Sequence, residues 1–127
     1  MLKLPDLKPH MVSYGIDYAY AFNIRKQDPD ELVTIRELPG PTLKIEESIH
    51  SPILHITTRG PKESQYAARD MAHLIDSFFL DRDIFPFMAG TTYVLYGERV
   101  SGGPAFLETD EFNRSLYVAT YALTSSR

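Results

Sequence analysis

Residues 63–80 read ESQYAARDMAHLIDSFFL. Ala67, Met71, Leu74, Ile75, Phe78 and Phe79 recur at helical spacing, while Arg69, Asp70, His73 and Asp76 fall on the opposite side. An amphipathic helix follows, with Ser64 placed to cap its first free amides and Gly60-Pro61 placed to end whatever precedes it. Burying the six apolar side chains contributes on the order of 10 kcal/mol before ordering entropy is subtracted. The helix therefore needs an apolar surface to lie on.

Outward from it, 31–38 (ELVTIREL), 51–59 (SPILHITTR), 91–100 (TTYVLYGERV) and 114–123 (RSLYVATYAL) are rich in β-branched and aromatic residues and bounded by Pro, Gly or Asp. These predict four strands, two on each side of the helix. The implied class is α+β, a four-stranded and mainly antiparallel sheet in β-β-α-β-β order carrying the long helix. The connections PGPTLKIEESIH and SGGPAFLETDEFN are longer than tight turns require, and long loops on a rigid scaffold are where function concentrates. The last two strands with their loop form an extended hairpin over 91–124.

Residues 1–30 are an N-terminal segment and polar loop. Leu4, Leu7, Met11, Tyr14 and Tyr18 fit a helical stripe, whereas Val12, Tyr14, Ile16, Tyr18, Tyr20, Phe22 and Ile24 alternate as in a strand. Periodicity alone leaves both open. A chain of 127 residues, 43% apolar and 24% charged, is expected to fold as one domain. It has no cysteine, which excludes disulfides, thiol nucleophiles and thiolate zinc sites. No run approaches the length of a membrane span and MLKLPDLKPH lacks an apolar leader core, so synthesis and retention in the cytosol of the producing cell, with no membrane partner, are expected. The net charge of −4, 17 acidic against 13 basic side chains, disfavours tight binding to a phosphate backbone.

Chemistry-bearing constellations are sparse. His50 and His55 point to opposite faces of an extended segment, and His10 and His73 lie elsewhere, which argues against a metal site. Asp81 and Asp83 fit a solvated helix-end turn, and ETDE (108–111) a solvated loop tip or partner contact. No serine stands in a nucleophile elbow. SGGP (101–104) lacks the Lys of a phosphate loop, and its glycines are read as supplying positive φ in a turn. No catalytic residue and no cofactor is expected. The residue type in excess is aromatic, with Phe85, Phe87, Phe106 and Phe112 flanking polar loops, the kind of residue that anchors interfaces.

From Glu31 onward the chain resembles the tail terminator (minor tail, or tail completion) proteins of long-tailed bacteriophages, those of actinobacterial hosts in particular. The resemblance rests on ordered pieces: TIRELPGP (34–41), EESIHSPILHIT (46–57), the Ala-rich helix, VLYGERVSGGP (94–104) and LETDEFNRSLYVAT (107–120). Pro39 stands where the family's first turn carries glycine, and Leu116 where it carries a basic residue, with Arg114 two positions earlier.

The resemblance implies a compact domain, with an N-terminal helix over the ambiguous segment. It also implies a six-fold ring at the head-proximal end of the tail tube in the virion, assembled in the host bacterial cytoplasm. Such a ring contacts the major tail tube protein and the head completion or stopper protein, lets DNA pass without specific binding, and performs no catalysis. Interface residues implied on this reading are Arg36, Pro41, Phe85, Phe87, Gly102, Gly103, Pro104, Phe106, Glu108, Asp110, Glu111, Phe112 and Arg114. The alternatives are a head completion or stopper protein and, in another class, a small ligand-binding or enzyme α+β domain with His55 and Arg99 facing a pocket.

Overall fold

The computed structural model describes residues 2–38, 49–100 and 102–126. It is an α+β fold in which a 3-10 turn (Leu4–Leu7) runs into helix α1 (Lys8–Tyr14), followed by strands β1 (Ala19–Phe22), β2 (Leu32–Leu38), β3 (Ile49–His50) and β4 (Ile53–Lys62). Helix α2 (Gln65–Leu80) comes next, then β5 (Phe87–Ala89), β6 (Thr92–Arg99), β7 (Ala105–Thr109) and β8 (Arg114–Ser126). The expected β-β-α-β-β series is present as β2, β4, α2, β6 and β8. The sheet is wider than the four strands expected: among the described residues eight strands join in one sheet, ordered β1-β2-β4-β8-β6-β5, with β3 and β7 also on β8. It is mixed, because β1 runs parallel to β2 while the other pairs are antiparallel.

Both readings of the N-terminal segment hold in part, on successive stretches. The helical stripe is real as far as Tyr14, where Gly15 at φ 110° takes the left-handed cap position; Ala19–Phe22 is strand, but Tyr20 and Ala21 are both buried and Ile24 lies exposed beyond its end, so the alternation holds only in part. Leu4, Leu7 and Met11 from the first stretch and Tyr20 from the second enter the same core.

The thirteen-residue strand β8 is the spine. One edge pairs with β4 from Arg114 to Ala122 and then with β3; the other pairs with β7 and then β6. Helix α2 packs across β4, β8 and β6. Met71, Ile75, Phe78 and Phe79 are buried as their spacing demands. The Phe79 ring stacks on Tyr121 at 4.6 Å, and Phe78 meets Phe79, Phe85 and Phe87 at 5.1, 6.0 and 6.1 Å.

Two glycines let the helix sit this close. A Cβ on Gly60 would lie 2.6 Å from the Ala68 Cβ near the start of α2, and one on Gly97 would lie 2.8 Å from the Phe79 carbonyl near its end. Gly60-Pro61 accordingly does not end the strand, as its composition implies; β4 runs through both to Lys62, and glycine there serves contact with the helix. Ser64 caps α2 as read, accepting from the Ala67 amide at 3.4 Å. Ser64→Ala is expected to cost about 1 kcal/mol in urea unfolding, the usual scale for a lost cap.

Candidate interaction surface

The extended hairpin exists with a different construction. Pairing between β6 and β8 ends at Arg99 opposite Tyr121 and resumes in β7 with Ala105 opposite Val118, so β6 and β7 are two segments of one interrupted arm. Five residues of the stretch read as a loop, Ala105–Thr109, are thus strand. The reversal comes at Asp110–Asn113, where Asn113 takes φ 61°; Gly102 and Gly103 are not among the positive-φ residues, which corrects the turn role read for them. Nor is the hairpin a free arm, since β4 flanks β8 down to Lys62 opposite Arg114.

Asp110 builds the turn. Its Oδ1 accepts from the Phe112 and Arg114 amides at 3.0 and 2.9 Å, and its Oδ2 from Arg114 Nε at 2.9 Å. Burial pushes the carboxyl pKa up, but these hydrogen bonds and the guanidinium outweigh it and hold it below the ordinary aspartate range. Arg114, 3% exposed, also donates from Nη1 to the Gln27 carbonyl at 2.7 Å and to Asp30 Oδ1 at 3.2 Å, with the Phe112 ring 5.0 Å from its guanidinium carbon. These bonds tie the hairpin tip to the 25–30 loop.

Arg59, also 3% exposed, completes the tie by donating to the carbonyls of Lys26, Gln27, Pro29 and Asp30 at 2.6–3.0 Å. It stands opposite Leu116, which is buried. Burial, with the Arg114 charge next, lowers the Arg59 pKa.

Where the arm breaks, Arg99 reaches back to α2. Its guanidinium pairs with both oxygens of Asp76, donating from Nε at 2.9 Å, and the Tyr121 hydroxyl donates to Asp76 Oδ1 at 2.8 Å. Asp76, placed on the polar side by its spacing, is therefore only 6% exposed. Burial raises its pKa, yet the Arg99 and Tyr121 hydrogen bonds prevail and the net shift is downward; burial and Asp76 push the Tyr121 phenol upward. Arg99 thus serves this network at the arm's break.

The residues read as interface candidates divide by place. Phe106 and Leu107 on β7 are 47% and 49% exposed, and Glu108, Glu111, Phe112 and Gly102 are exposed around them. Gly103 and Pro104 are half-buried, and Gly103 sits against the Arg99 guanidinium. Phe85 lies in the core, and Phe87 is half-buried between Phe85 and the His10 ring, so both pack inside their own chain. Arg114 is inside as well. Arg36 is exposed on β2, opposite His55, away from the hairpin tip; burial first and then the Arg36 and Arg25 charges lower the His55 pKa. Pro41 lies outside the described residues.

The residue reading missed Leu107, Met88, Tyr93 and Tyr96, all exposed on the β5–β6–β7 side of β8. It also missed a groove of about 600 Å³ between the end of α2 and β6, lined by Phe79, Leu80, Phe85, Leu95 and Tyr96 with Asp81 and Glu98. Strand alternation marks which residues share a face but not which edge stays unpaired, so a single sequence carries no signal for either. Among the described residues no three His, Asp or Glu side chains gather as a metal site, and no helix is long and apolar enough to cross a membrane.

No family model matches the chain, and no curated protein matches it. The fold is nonetheless found among solved structures, 13 of whose chains match. One is 12% identical, at a TM-score of 0.59, over 97% of this chain and 89% of its own. At that identity the likeness is one of fold alone.

Proposed function

We propose that the chain is a structural subunit of the tail-terminator type, which closes into a ring on the head-proximal end of a phage tail tube, ends its polymerisation and joins the tail to the neck. The observation that carries this reading is β7, which exposes all five of its residues, Phe106 and Leu107 included, and pairs only with β8 among the described residues. An open, apolar strand edge invites another chain unless something covers it. Ring contacts between identical subunits join two different surfaces and close when the rotation per subunit is right. A domain of this size has a radius of gyration of roughly 14 Å, so six around an axis leave an opening of about duplex width. The net charge of −4 suits passage of DNA without adhesion.

Leu107 is the residue to change. It falls where the β7–β8 register skips from Phe106 opposite Tyr117 to Glu108 opposite Leu116, so it has no cross-strand partner to lose. Leu107→Glu is expected to change unfolding stability by no more than about 0.5 kcal/mol while abolishing ring formation and tube capping in native mass measurements. A variant that still forms rings and caps tubes overturns the role of β7. The same assay separates the stopper reading, which requires binding on the portal side.

The groove beside α2 favours a second reading, a ligand-binding α+β domain, because its volume of about 600 Å³ falls within the range of small-molecule sites. That reading requires saturable binding of an apolar ligand weakened by Leu95→Glu, with no effect of tail tubes.

A further inference from the structure

The hairpin tip and the 25–30 loop enclose a second depression, of about 230 Å³, lined by Arg25, Lys26, Arg59 and Arg114 together with Asp110 and Glu111. Two features of it are unexplained by the tie described above. Arg59 donates only to main-chain carbonyls and forms no direct ion pair among the described residues; the nearby Asp30 and Asp110 carboxylates both bond to Arg114. Arg114, with a side chain 4% exposed, uses Nε and Nη1, and its Nη2 has no hydrogen-bond partner among the described residues. Buried donors of a charged group are costly to leave unmet, and at Arg59 the Asp110 and Asp30 charges do not offset burial and the Arg114 charge.

We propose that this depression is an oxyanion site that takes a phosphate group. Arg114 Nη2 supplies a buried donor, the Arg59 charge lies beneath, and the exposed side chains of Arg25 and Lys26 supply donors from the rim. Donors from separate residues around a small cavity suit a tetrahedral group with oxygens in several directions better than a planar carboxylate, which pairs best with a single guanidinium fork. The four cations exceed Asp30, Asp110 and Glu111 by one charge, in a chain whose net charge is −4. The anion also screens Arg59 from Arg114, whose charge adds to burial in lowering its pKa.

The test is thermal unfolding of the full chain in inorganic phosphate, with sodium chloride balancing ionic strength. The expected result is a saturable rise in Tm that follows the logarithm of phosphate concentration above Kd. Arg25→Ala and Lys26→Ala remove rim charges whose side chains make none of the loop's bonds to Arg59 and Arg114. Each is expected to weaken phosphate by about five-fold, the scale of a partly exposed ionic hydrogen bond, while leaving Tm in chloride unchanged. A rise no larger than in chloride, or one untouched by the double variant, overturns the proposal. A short DNA strand carries the same group on a polyanion. It is expected not to compete at equal phosphate, given the chain's net charge, and competition overturns the assignment to free phosphate.

Discussion

Gly60→Val is expected to lower unfolding stability by about 3 kcal/mol, seen as a fall in urea midpoint at unchanged m-value. The Cβ alone would stand 2.6 Å from the Ala68 Cβ and 2.9 Å from the Ala68 backbone, so a rotamer change cannot relieve the overlap and α2 must move off β4. Valine adds two methyl groups to that collision. Gly102→Ala is the matching control: nothing lies within 4 Å of its added Cβ, and the change is expected to stay within about 0.5 kcal/mol. Equal losses at the two positions would mean that glycine at 60 matters for backbone freedom rather than for helix–sheet contact.

Asp76→Ala is expected to cost about 2–3 kcal/mol, chiefly by leaving the buried Tyr121 hydroxyl without its acceptor. Arg99 adds little to that figure, because its side chain is largely solvated and water replaces the carboxylate. The pH dependence carries the sign of a depressed carboxyl pKa. The unfolded chain binds the proton more readily than the folded one, so the Asp76 contribution is fully present above the ordinary aspartate pKa near 4 and is lost as pH falls through the lower folded value. Acid titration of stability should therefore be shallower in the variant than in the parent below about pH 4. Parallel profiles would show that Asp76 is not the group involved.

Local patterns made much of this fold legible. The α2 stripe, its Ser64 cap and strands β2, β4, β6 and β8 each write a period or a cap into neighbouring residues. Strand β7 escaped because both of its faces are exposed, so AFLET shows no alternation between buried and solvated positions and sits between Gly-Gly-Pro and an acidic turn. Strand β1 was hidden by the overlap of a helical stripe and a strand alternation that belong to successive stretches.

The inward place of Asp76 depends on partners 23 and 45 residues away, and that of Arg59 on carbonyls about thirty residues back. No window on a single element contains them. Aromatic content likewise does not separate exposed phenylalanines from buried ones. Phe85 and Phe87 flank polar loops much as Phe106 does, and only the path of the chain after α2 turns the first two toward the core.

The role proposed for this chain is that of a repeated unit on the end of a tube. Native mass measurement of the purified protein, alone and with purified tail tubes, tests it most directly. The expected result is a closed six-fold ring seated once per tube end, with tube length fixed thereafter. A protein that stays a single unringed subunit in the presence of tubes, and leaves them free to elongate, would contradict it.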